Sequence, residues 1–365
     1  MAARTTRSLP SWTTLAPGVA ILALVLAWGR DLGALPVVLV AAVLGAAVLA
    51  AVHHAEVVAH RVGEPFGSLV LAVAVTVIEV ALIVTLMVSG GKDTASLARD
   101  TVFAAVMITA NGIVGLSLFV GAVRYRLISF NAEGTGAALA TVTTLAVLTM
   151  VVPTFTTSAA GPEFSTGQLA FAAVASLALY AMFVSMQTRR HRDFFLPVTS
   201  DGDLLEDEHA QPPTNRETRD SLLLLLLSLV AVVGLAKVES PAIESAVAAA
   251  GFPQSFVGVV IALLVLLPET LAAVRAAQRN RIQISLNLAL GSAMASIGLT
   301  IPAIALASIW LPGPLLLGLG ATQMVLLALT VVVSVLTVVP GRATRLQGGV
   351  HLVLLAAFIF LAVNP

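Results

Sequence analysis

Apolar runs of about 20 residues recur along almost the whole of this 365-residue chain, each long enough to cross a hydrocarbon core of roughly 30 Å at 1.5 Å of rise per residue. With 58% hydrophobic residues, 10% charged residues and a mean hydropathy of +1.01, the chain does not belong to the soluble class. In lipid every backbone polar group needs an internal partner. Long unbroken mixtures of Leu, Val, Ala and Ile select helices over the roughly ten-residue alternation of a barrel. The expected fold is all-α, a polytopic membrane protein of about 11 transmembrane helices.

Those spans are expected near residues 15–29, 35–52, 67–88, 101–123, 136–153, 167–187, 221–237, 256–276, 283–309, 315–338 and 347–363. The basic N-terminus precedes an apolar segment but leads to Trp28, Gly29 and Arg30 without a small-residue cleavage pattern, so it reads as a retained first helix. Alternating the sides of this segmentation places 15 of the 19 Lys and Arg on the N-terminal side and leaves only Arg30, Lys92, Arg99 and Lys237 on the other. Cytoplasmic loops carry the positive excess. The expected location is the plasma (inner) membrane, with the N-terminus cytoplasmic and the C-terminus outside.

One long polar stretch interrupts the apolar pattern and holds the acidic run Asp201 to Glu208 and the pair Pro212-Pro213. The expected organisation is a cytoplasmic N-terminus and first helix (1–34), a five-helix repeat (35–187), an acidic linker (188–220) and a second five-helix repeat (221–365). Because five is odd, the two sets begin on opposite sides of the membrane. That is an inverted-topology repeat, a transporter architecture.

Of the 19 acidic residues, Glu79 and Glu269 fall near the middle of spans, at equivalent places in the two halves. A mid-bilayer carboxylate costs about 2.5 to 3.5 kcal/mol on insertion scales and faces a cavity, a partner or an ion. Paired carboxylate oxygens suit a hard cation such as Ca²⁺. Without the cation, two neighbouring carboxylates hold at least one proton through repulsion and desolvation, so the same groups bind cation or proton in turn.

Further polar groups are candidates for the ion path. Thr76 shares a helix face with Glu79, Thr270 follows Glu269, and Asn111 lies near the centre of the fourth span. Ser292, Ser296 and Thr300 recur every four residues, a pattern that serves close helix packing equally well. Pro268 and Pro302 remove backbone donors and can free carbonyls, and Gly63, Pro65 and Gly67 suggest a broken start to the third span. In HHAEVVAHR the residues His53, Glu56 and His60 share roughly one helical face, which permits a metal site but is also ordinary for an interface. The acidic run lacks EF-hand spacing and reads as a solvated linker. With no cysteine and a net charge of zero, thiolate metal sites are impossible and a nucleic-acid partner is not expected.

The segments HHAEVVAHRVGEPFGSLVLAVAVTVIEV and LPETLAAVRAAQRNRIQISLNLALGSAMASIGLTIP carry a resemblance that covers nearly the whole chain. It resembles the calcium/cation antiporter superfamily, specifically its cation/proton exchanger branch and most closely the bacterial ChaA-type antiporters. The resemblance implies one helix plus two inverted five-helix repeats around a midplane site with two essential glutamates, here Glu79 and Glu269. Wider exchangers write the motif G-N-A-x-E, and this chain has Thr76 and Leu266 at its asparagine positions. The expected function is secondary antiport of Ca²⁺, with Na⁺ and K⁺ as alternative cargo, against protons. No enzymatic activity and no cofactor are expected, and the partners are the lipid bilayer and the transported ions. A cation channel using the same glutamates is the competing reading.

Overall fold

The computed structural model describes residues 11–30, 32–63, 66–89, 95–196, 213–310 and 313–365. The acidic run Asp201 to Glu208, Pro212 and Pro65 lie outside them. The fold is all-α. Among the described residues ten helices are long and apolar enough to span a membrane: α2 (Ala34–Val62), α3 (Phe66–Ser89), α4 (Leu97–Tyr125), α5 (Ala132–Phe155), α6 (Thr166–Arg190), α7 (Asn215–Ala249), α8 (Phe256–Gln278), α9 (Ile282–Ala307), α10 (Ala321–Val338) and α11 (Arg345–Val363). The shorter apolar helix α1 (Trp12–Ala27) precedes them.

Starts are encoded locally. The Glu217 side chain accepts from the backbone N–H of Thr214 at 2.8 Å at the start of α7, and Gln347 does the same for Thr344 at 2.9 Å before α11. The Asn131 side chain accepts from the N–H groups of Glu133 and Gly134 to open α5.

Two helices run well past their expected ends. α2 continues through HHAEVVAHR to Val62, because the buried His54 ring is held between the Thr13 carbonyl (3.0 Å) and the Ser221 hydroxyl (3.3 Å). α7 continues through Lys237 to Ala249, past the expected end of the span at residue 237. Lys237 reaches out over the Trp28 ring, 5.2 Å from its centroid, as a cation and an interfacial indole do. The extension also buries Glu239, an acid that the apolar pattern does not mark.

The tenth span is shorter than expected. Residues 313–320 run extended rather than helical, and α10 begins at Ala321. Gly318 lies so close to α5 that a Cβ there would stand 2.5 Å from the Thr154 hydroxyl. The Gly318 N–H donates to the Pro162 carbonyl (2.8 Å) and the Leu319 N–H to that of Met150 (2.7 Å). At the opposite end of the molecule, β1 (Ile128–Ser129) pairs antiparallel with β2 (Arg342–Ala343) and ties the α4–α5 turn to the α10–α11 turn.

The apolar core divides into two clusters. One joins α1, α2, α3 and α7, and the other is built on α4, α5, α6, α9, α10 and α11. α8 contributes to both, with Val257, Ile261 and Val265 in the first and Val259, Ala262 and Leu266 in the second. Glu79 and Glu269 lie along this seam.

Candidate cation site

Glu79 stands one residue after Ile78 and four before Ile83, which belong to opposite clusters. It is 2% exposed, and its Oε2 accepts hydrogen bonds from Ser296 Oγ at 3.0 Å and Thr300 Oγ1 at 3.1 Å, both on α9. Among the described residues its Oε1 has no hydrogen-bond partner. A buried carboxylate oxygen without a donor is costly, and a bound proton or cation relieves it.

Glu269 follows Val265 by four residues and Leu266 by three, again on the seam. It is 9% exposed and its Oε2 is also unpartnered. Unlike Glu79, it lines a cavity of about 800 Å³ that reaches it from the ends of α2 and α6, past His60, Gly63, Gln187 and Arg192. The Glu269 carboxylate is close enough to those of Glu79 and Glu56 to interact with both electrostatically. Among the described residues no three His, Asp or Glu side chains converge as a ready metal cage. The arrangement is two acids supplemented by hydroxyls.

α9 connects the two environments. Ser292 lines the cavity, and one and two turns further on Ser296 and Thr300 reach Glu79. Pro302 lacks the N–H that would serve the Gly298 carbonyl, which lies between those two hydroxyl residues, and Pro268 likewise leaves the Leu264 carbonyl without its helical donor.

The remaining sequence candidates separate. Thr76 is buried one turn before Glu79. Thr270 donates to the Leu266 carbonyl at 2.7 Å. Asn111 is not brought to the cavity: it sits in a π-helical stretch of α4 (Ile108–Ile113), donates to Thr330 Oγ1 at 2.9 Å and pairs through Oδ1 with His351 Nδ1 at 3.1 Å. His351 in turn meets Thr337 Oγ1 at 3.2 Å. Of the HHAEVVAHR face, Glu56 and His60 line the cavity, and their helical spacing was the signal for it. Gln187 and Arg192 line it without any signal in the sequence.

At the far end of the molecule Arg99 pairs with Asp100 at 2.8 Å and donates to the Gly318 carbonyl at 3.1 Å, while Ser96 Oγ donates to Asp100 Oδ2 at 2.8 Å. These contacts hold α4 against the extended segment 313–320.

The profile of the sodium/calcium exchanger protein family matches residues 32–189 and 220–364. The chain belongs to that family. This exchanger-family protein is 44% identical over 364 residues to the putative ionic transporter y4hA of Sinorhizobium fredii (strain NBRC 101917 / NGR234), covering 98% of this chain and 97% of the relative. It is 34% identical over 352 residues to the sodium-potassium/proton antiporter ChaA of Escherichia coli (strain K12), covering 95% of each. These matches place it in the cation/proton exchanger branch of the calcium/cation antiporter superfamily. Its fold is similar to that of native YfkE, with a TM-score of 0.70 at 15% identity over 97% of this chain and 99% of that one. The H⁺/Ca²⁺ exchanger CAX gives 0.68 at 14% identity over 95% and 86%. The exchanger-family chain is thus a multi-pass membrane transporter.

Proposed function

We propose that the protein is a secondary antiporter that exports Ca²⁺ from the cytoplasm in exchange for external protons by alternating access, with Glu79 and Glu269 as the shared site. The observation that carries this reading is the contrast between the two acids: both are buried with an unpartnered oxygen, yet only Glu269 faces the large cavity. A cation entering along that cavity meets Glu269, sheds water against Ser292 and Ser296, and completes its oxygen shell at Glu79. Hard cations take six to eight oxygens at roughly 2.3 to 2.6 Å, and these residues with the released Gly298 and Leu264 carbonyls supply such donors. When the cation leaves, protons take its place on the same carboxylates, which makes the exchange stoichiometric.

The inverted repeats (35–187 and 221–365) explain why the matching acids come from oppositely directed halves. The cavity mouth carries Arg192 and lies at the Arg-rich end, so it faces the cytoplasm in the plasma membrane, with the N-terminus on that side and the C-terminus outside. On this reading the Arg99–Asp100 contacts lie at the external end, where they brace α4 against residues 313–320.

A second reading has its own support. The relative that matches at 34% identity is named for Na⁺ and K⁺, whereas the Ca²⁺ exchangers share only the fold. Monovalent cation/proton exchange with little Ca²⁺ transport is therefore the alternative. Purified protein in proteoliposomes, given Ca²⁺, Na⁺ and K⁺ separately, decides between them: each transported cation drives proton counterflux. Cation flux without proton movement would establish a channel instead.

A further inference from the structure

Glu56 has no part in the two-acid site, yet it stands in the same cavity. Its neighbours Ala59, His60 and Gly63, three, four and seven residues on, line the cavity with it, so one continuous face of α2 forms that wall. Glu269 lines the same cavity, nine-tenths buried and, among the described residues, with Oε2 unpartnered. The two carboxylates interact electrostatically, and Glu56 also feels the guanidinium of Arg275.

We propose that Glu56 and Glu269 form a second cation station, on the open side of the Glu79–Glu269 pair, that takes an alkali or alkaline-earth cation with part of its water shell still attached. This rests on the reading of Glu79 and Glu269 as the exchange site and adds a waiting position before it. Space allows it: six waters at roughly 30 Å³ each need about 200 Å³, and the cavity holds about 800 Å³. Two facing carboxylates attract a cation without stripping it, because the cavity stays wet and the remaining ligands are water.

Arg275 sets the strength of the station. Its positive charge acts on Glu56 from outside the cavity lining and weakens the pull of the two carboxylates on a cation, which suits a position that must release forward. Arg192, which lines the cavity from the end of α6, works in the same direction. From Glu269 the cation then meets Ser292, and Ser296 beyond it leads to Glu79.

Everted vesicles, which present the Arg-rich face to added cation, give the test. Glu56→Gln should raise the half-saturating concentration of the transported cation about tenfold, the loss of one nearby charge, with the effect on KM larger than on kcat. Arg275→Gln should move it the other way, and a merely structural role would not produce that pair of opposite shifts. An unchanged KM in Glu56→Gln, with Glu79→Gln inactive, overturns the station and leaves the exchange site standing. Full exchange in Glu79→Gln removes the exchange site and the station with it. Should Glu56→Gln fail to insert, Arg275→Gln decides alone: a lower KM supports the station, and no change or a rise overturns it.

Discussion

Glu79 and Glu269 occupy matching places in the two halves of the chain, but their surroundings differ in kind. Glu79 is hydrogen-bonded by two hydroxyls and lies outside the cavity lining, whereas Glu269 lacks such donors on Oε2 and faces some 800 Å³ of open space. For the proposed two-acid site, such unequal access is what one state of an alternating transporter requires. In the opposite state the inequality should reverse, with Glu79 facing the other side.

The largest effect tests whether the two acids are nonetheless one site. Glu79→Gln and Glu269→Gln should each lower exchange by on the order of a hundredfold or more, since removing one charge from a buried pair leaves a divalent cation with only one of its two counter-charges. Proton flux in proteoliposomes reads this directly. A variant that keeps exchange while the other loses it would break the pair into separate points.

The access difference can be measured by chemistry. The chain has no cysteine, so single cysteines report without background. Ser292→Cys, in the cavity lining, should react with a water-soluble thiol reagent added at the Arg-rich face at least about tenfold faster than Thr300→Cys, which is fully buried beside Glu79. Adding protons or cation should narrow that ratio if the site alternates. Equal rates would mean that the two acids share one aqueous space.

The hydroxyls on Glu79 come next. Hydrogen bonds to charged groups contribute about 1.5 to 3 kcal/mol, so Ser296→Ala and Thr300→Val should each weaken apparent cation affinity by about tenfold or more. Ser292→Ala, on the Glu269 side, should do less, because cavity water replaces the lost hydroxyl. A larger effect at Ser292 than at Ser296 would reverse the assignment of the tight and loose halves.

How much of this could be read from residues alone follows from what each feature depends on. Spans, their number and the singling out of Glu79 and Glu269 rest on local apolarity, which the bilayer imposes on every helix in the same way. The four-residue repeat of Ser292, Ser296 and Thr300 was visible too, but which acid it serves was not, because Glu79 and Ser296 are 217 positions apart. The overrun of α7 past Lys237 and the burial of Glu239 depend on packing against α1 and α2, on which hydropathy is silent. Residues 315–320 were apolar enough to pass for helix, but Gly318 and Gly320 weaken one there and the bonds to Thr154, Pro162 and Met150 hold the segment extended.

Asn111 shows the same limit most sharply, and it supplies the smallest predicted effect on transport. A buried amide in a helix that crosses lipid is costly without partners, which is why it reads as an ion ligand. The structure supplies those partners in Thr330 and His351, so the amide and the imidazole satisfy each other across α4, α10 and α11. Asn111→Ala would leave the His351 ring and the Thr330 hydroxyl short of a partner in a dry interior, at about 1 to 3 kcal/mol for each unsatisfied group. The expected outcome is a lower thermal midpoint of the detergent-solubilised protein with the cation KM unchanged. Asn111→Asp separates the two roles further, because it adds charge at the same volume: if Asn111 were on the path, KM would fall, and if it only braces the helices, stability alone would suffer. A shifted KM in either variant would return Asn111 to the path and give the first half a polar ligand to set against Ser296 and Thr300 in the second.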